Sequence, residues 1–596
     1  MSFEKKYQLL SYTRQPAGLY EEKLAYSMHL AVSMNEGDFI PLHHNTGVLY
    51  VKAAEQENRT LKAKCLANPY IFKLGGEGYG VVAVRVEADG QADESSKSQV
   101  MLFTTKDFLE YTEWAPLDLK TGGYVRHVAC TYLPVEERYC LQWCDVANRR
   151  YQAYVSELGR EEICPEPAAS FTSEVVATTI EGARPVNVLD IPDHVAEKLL
   201  ERLMVPYNTG VTLPDEITVS FRQELDAVQA AFHYSDGTTV NKPVTWEADG
   251  IRWDTAGQYA IAGEVNQPSF YFPVSINRAD PCIFKWQGYY YFIATNDADN
   301  NSSISVRRGE TIQQLATAAE YEILNTKMYP HMVQFLWAPE FHQVDGELYI
   351  FLASSPEGFG QIRCHVMKLK PGGDIRNKED WEKPEPVLKS SGQVLSDIGL
   401  TLDMTTVYIR ERYYAVWAQR DLKPVDLGSW IYIAEINKKA PWKLISDPVL
   451  LSKPDYSWAN NHTFVDEGPY PLFAGDTLYI TFSSALVDYT YCVGYLSIRQ
   501  DADLLDAANW TKGNYPLLTA FSVPGEYGPG HNAYVEDDSG MVWNTYHARP
   551  GKDGPRSTGI RRVHFHKDGF PVLDMTEDKD IDRSHRKLSL TVKVKP

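Results

Sequence analysis

The chain lacks the features that mark membrane-spanning, nucleic-acid-binding and disulfide-stabilised proteins. It contains no run of 18 apolar residues, so no transmembrane helix is predicted. The 79 acidic residues outnumber the 58 Lys and Arg, and the net charge of −21 argues against nucleic acid, whose phosphates call for clustered basic side chains. The eight cysteines form no C-x-x-C pair, so neither a zinc site nor a disulfide framework is indicated.

The first residues of the chain also lack the apolar segment of a secretion signal. Together with the scattered cysteines, this predicts a cytoplasmic protein with buried thiols and no membrane partner. The sequence does not define an oligomeric state, so a homo-oligomer remains an open alternative.

Long helical stretches of Ala, Leu, Glu and Lys are missing as well, whereas aromatic residues make up 12% of the chain and tyrosine alone accounts for 37 residues. Aromatic and β-branched side chains suit the pleated surface of a sheet, which predicts an all-β protein. A chain of 596 residues is too long for one ordinary core, so several domains are expected.

Strand and turn signals divide the chain into three predicted domains. Residues 1–178 resemble a β-rich accessory domain, for which an incomplete propeller is one interpretation. Residues 179–275 resemble a small bacterial immunoglobulin-like sandwich, with the turn Tyr234-Ser235-Asp236-Gly237 ahead of a strand that ends at Trp246. Residues 276–596 form the third predicted domain, and only there does a repeat appear.

The repeat consists of a polar residue followed by a strand, a turn and a second strand. It begins at Asp280, Glu340, Asp403, Glu467 and His531, at steps of 60, 63, 64 and 64 residues. Five units of this length predict a five-bladed propeller of four-stranded blades. Since the inner strands of a propeller begin at one end of its channel, these side chains are expected to meet there.

Several carboxylates around an aromatic-rich pocket suit glycoside hydrolysis. One carboxylic acid protonates the leaving oxygen, and a carboxylate on the other side activates a water molecule. A third carboxylate nearby can raise the pKa of the acid, because like charges disfavour ionisation. An alternative is that the acids only cap hairpins, but capping residues need not recur at the same position of every repeat.

Four motifs in this order resemble those of glycoside hydrolase family 43, whose catalytic domain is a five-bladed propeller. They are Ala279-Asp280-Pro281, Trp337-Ala338-Pro339-Glu340, the segment ending at Asp403, and Glu467-Gly468-Pro469. The resemblance implies that Asp280 is the general base, Glu467 the general acid, and Asp403 the residue that tunes and orients the acid. Asp397 competes for the third role, but Asp403 fits the repeat better.

The resemblance extends to residues that would bind the substrate or an ion. Trp337, Glu340 and Arg549 are predicted to contact substrate, and His531, in Gly528–Asn532, to contact a hydrated calcium or other cation in the channel. Trp286 is added as a substrate contact only because its aromatic face suits a sugar ring. Each has a structural alternative: both tryptophans suit packing, Glu340 can position neighbours or cap a strand, Arg549 can pair with a surface acid, and His531 can plug the channel. No cofactor is expected for the chemistry itself.

The function that the resemblance implies is an inverting, exo-acting glycoside hydrolase. The segment Tyr546-His547-Ala548-Arg549 is similar to one in arabinofuranosidase-like members, so the predicted product is α-L-arabinofuranose released from oligosaccharides. A β-xylosidase or galactofuranosidase of the same family is the first alternative. A catalytically silent carbohydrate-binding propeller is the second, and it would be favoured if one of the three acids were missing.

Overall fold

In a computed structural model, the structure describes residues 6–171 and 176–596. Residues 1–5, with which the predicted N-terminal domain begins, and residues 172–175 lie outside the described part. Strands account for 49% of the residues and helices for 9%, which confirms the predicted all-β class. No helix within the described ranges is long and apolar enough to cross a membrane.

Residues 275–562 form five antiparallel sheets arranged as the blades of a propeller, each named here by its position in the chain. Blade 1 contains Arg278–Trp286, Tyr289–Asn296, Ser303–Gly309 and Tyr321–Asn325; blade 2 contains Gln334–Val344, Glu347–Ser355, Arg363–Lys368 and Glu385–Pro386. Blade 3 contains Gly399–Ile409, Arg412–Asp421, Ser429–Asn437, Ala440–Leu444 and Val449–Ser452; blade 4 contains Asp466–Ala474, Thr477–Ser484, Cys492–Arg499 and Thr511–Lys512. Blade 5 contains Tyr527–Glu536, Val542–Arg549, Ser557–Arg562 and Ser275–Ile276.

The ring closes by exchange of a strand between its two ends. Ser275–Ile276, which precedes blade 1 in the chain, pairs antiparallel with Ser557–Arg562 and forms the outer strand of blade 5. Closure of this kind leaves no exposed seam between the first and the last blade. The predicted five-bladed propeller is therefore confirmed.

Every inner strand of the propeller contains a bulge with one residue in the left-handed conformation. These residues are Asp280, Ala338, Asp403, Gly468 and His531, with φ of +50°, +44°, +54°, +55° and +53°. At each of them the pairing with the second strand shifts its register. A bulge bends the strand and redirects its side chains, so all five inner strands turn toward the same end of the channel.

The N-terminal domain consists of three further sheets. The first contains Ala183–Ile191, Tyr7–Arg14, His29–Met34 and Ile40–Pro41; the second Lys64–Lys73, Tyr79–Glu87, Gln99–Thr105, Thr112–Glu113 and Leu117–Asp118; the third Val125–Leu133, Arg138–Asp145, Arg150–Val155 and Glu166–Pro167. The predicted boundary at 178 differs from this arrangement. Ala183–Ile191 pairs with Tyr7–Arg14 along its whole length, so the sheet extends to residue 191.

After the helix Asp193–Leu203 comes a smaller β domain. Its strands are Asn208–Thr212, Glu216–Val219, Gln229–Tyr234, Thr239–Trp246 and Gly257–Val265, with the short helix Arg222–Asp226. Its sheet is completed by the C-terminal strand Lys587–Val594, which lies between Gly257–Val265 and Glu216–Val219. The predicted range of 179–275 therefore lacked one strand, because that partner lies at the far end of the chain. The immunoglobulin-like topology stays a prediction.

Short elements complete the described chain. They are the strands Ala54–Glu55, Leu61–Lys62, His564–Phe565 and Pro571–Val572; the α-helical turns Glu22–Ala25 and Glu577–Asp580; and the 3₁₀ turns His43–Asn45, Glu94–Ser96, Asp297–Asp299, Gln313–Ala316, Phe359–Gln361, Lys378–Asp380, Ser457–Asn460, Ala507–Asn509 and Arg583–His585. Most 3₁₀ turns of the propeller connect strands within one blade, whereas Ser457–Asn460 lies between blades 3 and 4 and is buried.

The N-terminal domain packs on the propeller beside blade 4. The Lys23 ammonium donates to the Asn460 carbonyl (2.6 Å), and the Tyr50 N–H donates to Asn514 Oδ1 (2.6 Å). Leu49 and Trp458 belong to one buried apolar cluster that continues across this junction. The two domains thus share a core.

The C-terminal strand is expected to stabilise the small β domain through its buried face. Leu590 is almost fully buried in that domain's core. Replacement Leu590→Ala removes apolar contacts and leaves a cavity, so we expect the free energy of unfolding to fall by about 2–5 kcal/mol. Denaturant titration measures the change. The exposed neighbour Ser589→Ala is the control and should change stability by less than about 0.5 kcal/mol; equal effects would show that the strand does not pack as described.

Candidate active site

A pocket of about 400 Å³ opens at the end of the channel where the five bulges lie. Side chains from all five blades line it, with acidic, basic and apolar groups close together. They are Asp280, Trp337, Phe359, Leu400, Leu402, Asp403, Arg420, Ser429, Thr463, Val465, Glu467, Ala485, Leu486, Val487, His531, Arg549 and Arg556. The three predicted catalytic carboxyl groups, from blades 1, 3 and 4, therefore share one cavity, although 187 positions separate Asp280 from Glu467 in the sequence.

Asp280 is a buried carboxylate surrounded by positive and polar groups. Its Oδ1 lies 3.2 Å from the Arg556 guanidinium, 3.3 Å from His531 Nδ1 and 3.0 Å from His547 Nδ1. Burial alone would raise the pKa of Asp280, but the charges of Arg556 and His531 and the contact with His547 outweigh it and hold the pKa well below its usual range. Asp280 is therefore ionised whenever the pocket is formed.

Glu467 and Asp403 have the opposite tendency. Burial raises the pKa of Glu467, although the Tyr491 hydroxyl donates a hydrogen bond to its Oε1 (2.9 Å) and partly opposes the rise. Burial likewise raises the pKa of Asp403 to about 8, opposed by His531 and assisted by the charges of Glu467 and Asp280. Asp403 Oδ2 accepts a hydrogen bond from the Gly468 N–H (3.0 Å), next to the acid in the chain. Near neutral pH this pair holds a proton while Asp280 does not.

The sequence did not indicate the groups that create this asymmetry. Arg556 donates to both oxygens of Asp297 (2.9 and 2.7 Å) as well as approaching Asp280, so Asp297, in a short 3₁₀ turn, orients the guanidinium. His547 stacks on the Tyr491 ring, with centroids 5.4 Å apart. These residues lie on or beside the second and third strands of the blades, to which the repeat of the inner-strand residues does not extend.

Two of the predicted substrate-contacting residues line the pocket. The Trp337 ring lies against Phe335, with centroids 4.9 Å apart, and presents an apolar wall. Arg549 donates to the carbonyls of Gly554 (2.6 Å) and Val487 (2.8 Å). Its hydrogen-bond partners within the described chain are thus backbone carbonyls of two loops at the pocket, not the surface acid that was the alternative.

The other two lie elsewhere, which corrects the prediction for them. Glu340 is buried, and its Oε2 lies 2.8 Å from His342 Nε2, away from the cavity lining. The reason is that it stands two positions beyond the left-handed residue Ala338, whereas Asp280 and Asp403 occupy the bulge itself. Trp286 lies at the opposite end of the blade 1 inner strand from Asp280 and packs near Phe284 in the blade core.

His531 occupies the bulge of blade 5 and reaches the centre of the site. Its Nδ1 contacts Asp280, while its buried Nε2 has no hydrogen-bond partner within the described protein. Among the described residues no three His, Cys, Asp or Glu side chains converge to hold a metal ion. Since calcium takes six to eight oxygen ligands, a single imidazole nitrogen does not build a calcium site. A metal role for His531 stays a prediction, and no chemical step below passes through a metal.

The rim of the pocket is braced by the N-terminal domain. His462 contacts Glu21 of that domain (2.9 Å) on one side and Asp488 (2.7 Å) on the other. His462 precedes Thr463 in the chain, and Asp488 follows Val487, and both of those neighbours line the pocket. The N-terminal domain is therefore positioned to fix the shape of one wall.

A five-bladed propeller with an ionised and a protonated carboxyl group in one buried pocket defines a class of acid–base enzyme scaffold suited to glycosidic bonds. The family model "Glycosyl hydrolases family 43" matches residues 271–571, half of the chain. The protein belongs to glycosyl hydrolases family 43.

Curated relatives match the same half. The chain is 34% identical over 331 residues to an "Extracellular exo-alpha-(1->5)-L-arabinofuranosidase" of Streptomyces avermitilis, covering 53% of this chain and 66% of that protein. It is 31% identical over 306 residues to "Alpha-L-arabinofuranosidase 43" of Humicola insolens, covering 50% of this chain and 61% of that protein. A Streptomyces chartreusis relative with the first name is 33% identical over 284 residues, covering 47% and 83%. The chain thus spans less than two thirds of the length of the first two.

Among solved structures, an α-L-arabinofuranosidase from Lactobacillus brevis matches with 31% identity and a TM-score of 0.46, covering 50% of this chain and 95% of the other. A thermostable family-43 glycoside hydrolase matches with 20% identity and a TM-score of 0.41, covering 51% of this chain and 95% of the other.

Gly468 offers a test of how tightly the bulges pack around the site. It has φ of +55°, and a Cβ there would lie 3.1 Å from His531 Nδ1. Gly468→Ala should therefore lower the free energy of unfolding by about 1–3 kcal/mol, as expected for a non-glycine residue held in the left-handed region, with a further loss from the close contact. Gly475, with φ of +54° and no atom within 4 Å of its Cβ position, is the matched control. Denaturant titration of both variants separates conformational strain from the contact; equal losses would contradict close packing against His531.

Proposed function

We propose that this protein is an inverting glycoside hydrolase that releases terminal α-L-arabinofuranose from oligosaccharides. One observation carries the proposal: two buried carboxyl groups in one pocket have pKa values shifted in opposite directions, Asp280 downward and Glu467 upward. Such a pair provides a base and an acid at the same pH. The third carboxyl group, Asp403, touches the backbone beside the acid and shares its titration.

The reaction follows from these protonation states. Asp280 removes a proton from a water molecule as that water attacks the anomeric carbon. Glu467 gives its proton to the glycosidic oxygen as the bond from that oxygen to the anomeric carbon breaks. The attacking water arrives opposite the leaving group, so the configuration inverts. Inversion requires the two carboxyl groups to stand roughly 6.5–9.5 Å apart, with room for the water between them.

The choice of sugar is supported by the relatives named above, three of which carry arabinofuranosidase names at 31–34% identity. Trp337 and Arg549 supply an apolar wall and a cation beside the carboxyl groups. A β-D-xyloside or a galactofuranoside is the alternative substrate. A catalytically silent binding propeller is disfavoured because all three acids lie in the pocket.

Removal of either catalytic carboxyl group should stop turnover without unfolding the protein. We expect Asp280→Asn and Glu467→Gln each to lower kcat by at least about a thousandfold on nitrophenyl α-L-arabinofuranoside, since general acid–base groups contribute factors of about 10²–10⁴. Asp397→Asn is the matched control, because Asp397 is exposed on blade 3, and its activity should be normal. Near-normal turnover by either purified pocket variant would refute the assigned roles.

The alkaline limb of the pH profile should depend on Tyr491. The profile falls as pH rises through the raised pKa of the acid pair, since the pair then loses its proton. The Tyr491 hydrogen bond favours the charged form of Glu467 and lowers its pKa. Tyr491→Phe removes that bond, so the alkaline limb of kcat/KM should move to higher pH. Tyr479→Phe, on the same blade outside the pocket lining, should leave it in place; a shift of the Tyr491→Phe limb to lower pH would exclude Glu467 as the acid.

Cleavage is proposed to be exo, because Glu21 of the N-terminal domain braces the rim of the pocket through His462 and so supports one wall. Linear and branched arabino-oligosaccharides should then yield only monosaccharide at every time point. Chromatography of timed digests gives the answer, and a ladder of longer products would contradict the exo mode.

A cytoplasmic location remains a proposal, supported by the eight cysteines, all of which are free thiols. Cell fractionation with an antibody to the protein tests it.

A further inference from the structure

A second pocket, with a volume of about 260 Å³, lies in the N-terminal domain. It is lined by the inward ends of strands from all three sheets of that domain. The lining residues are Thr13, Ala67, Asn68, Tyr70, Arg126, His127, Val128, Phe171, Arg184, Pro185 and Val186. It lies outside the matched family range of 271–571 and plays no part in the proposed reaction.

The strand that supplies Asn68 repeats the strand that carries the catalytic base. Residues 67–73 are Ala-Asn-Pro-Tyr-Ile-Phe-Lys and residues 279–285 are Ala-Asp-Pro-Cys-Ile-Phe-Lys, so five of the seven positions are identical. Asn68 has φ of +53° and Asp280 has φ of +50°. In both strands the residue pair at the bulge skips one alanine of the neighbouring strand, Ala83 or Ala294.

The surroundings of the two residues are also alike. Asp280 lies beside the imidazole of His547 from another blade, and the Asn68 side chain is hydrogen-bonded to the imidazole of His127 from another sheet. An aromatic ring, Phe171, lies 6.1 Å from the His127 ring. The N-terminal pocket therefore repeats one feature of the active site, a left-handed bulge residue in contact with an imidazole.

The charges of the two pockets differ. The amide of Asn68 does not ionise near neutral pH and cannot act as the general base that Asp280 provides in the other pocket. None of the described lining residues is acidic, and Arg126 and Arg184 are among them. Arg126 donates to Asn148 Oδ1 (3.3 Å), and neither arginine forms an ion pair with another residue in the described part of the chain. In a chain with a net charge of −21, two exposed arginines that line a cavity favour an anionic ligand.

We propose that the N-terminal pocket binds, without cleaving, the end of an acidic saccharide, a chain whose sugar units carry carboxylates. Arg126 and Arg184 pair with the carboxylate, and Asn68 and His127 hydrogen-bond to hydroxyl groups deeper in the cavity. Its volume is smaller than that of the active-site pocket and suits one terminal sugar unit. The enzyme would thereby be held on substrates in which neutral side sugars accompany acidic ones.

Isothermal titration calorimetry of the full chain with trigalacturonate tests the proposal. Arg184→Gln and Asn68→Asp should each weaken binding by at least about tenfold, the first by loss of a charge-assisted hydrogen bond and the second by repulsion of the ligand carboxylate. Aspartate tolerates the left-handed conformation as asparagine does, so the second variant retains the local backbone. The methyl-esterified trisaccharide, which has no charge, should bind at least about tenfold more weakly than the acid.

Three controls separate this site from the active site. Arg160→Gln, an exposed arginine of the same domain outside the pocket lining, should bind trigalacturonate like the unaltered protein. Glu467→Gln should bind trigalacturonate equally well. Arg184→Gln should hydrolyse nitrophenyl arabinofuranoside at the normal rate. A failure of the binding proposal is therefore distinguishable from a failure of the proposed reaction. Absence of binding, equal binding of the ester, or binding unchanged in both Arg184→Gln and Asn68→Asp would overturn the proposal.

Discussion

The left-handed residue in each inner strand is the constraint on which the propeller site depends. An L-residue other than glycine, asparagine or aspartate adopts this conformation at a cost of about 1–2 kcal/mol. Two of the five residues, Ala338 and His531, are of this kind, so they require support from the surrounding sheets. That support comes from the second and third strands of each blade, which fix the register on both sides of the bulge. The bulges redirect Asp280, Asp403 and His531 toward one cavity and place Glu467 immediately before Gly468.

Once the carboxyl groups are buried together, electrostatics determines what each can do. Three acids in a buried pocket do not all ionise near neutral pH, because like charges at short distance repel strongly where burial reduces screening by solvent. Arg556 resolves the competition in favour of Asp280, since its guanidinium reaches that carboxylate and is held in place by Asp297. The remaining negative charge would have to sit on Asp403 or Glu467 without a cation of its own, and this pair keeps a proton instead. The acid and the base thus arise because Arg556, with His531 and His547, lies closest to Asp280.

The sequence predicted the residues that recur at a fixed position of the propeller repeat. It missed those that reach the site only because strands far apart in the sequence lie side by side. Asp280, Asp403 and Glu467 keep the step of the repeat because each lies at the bulge of its inner strand or directly before it. Arg556 and Tyr491 directly precede the third strands of their blades, and no spacing in the sequence relates them to the acids that they contact. Glu340 was wrongly predicted to reach the pocket because the repeat was measured to the acidic residue of its motif. The bulge of that strand lies two positions earlier, at Ala338.

Pairing between segments far apart in the sequence also keeps the propeller ring closed. The closing strand Ser275–Ile276 contains only two residues, which is a small number of hydrogen bonds for a propeller of this size. The chain leaves the small β domain after Val265 and returns to it at Lys587, and these two segments are neighbours in one sheet, with Glu264 opposite Lys587. Asp580 adds a buried link, since it contacts Arg562 of blade 5 and Lys242 of the small domain. The segments that lead into and out of the propeller are therefore held together outside the ring. Separation of blade 1 from blade 5 would require the sheet of the small β domain to open as well. The small β domain therefore stabilises the closed ring of the propeller.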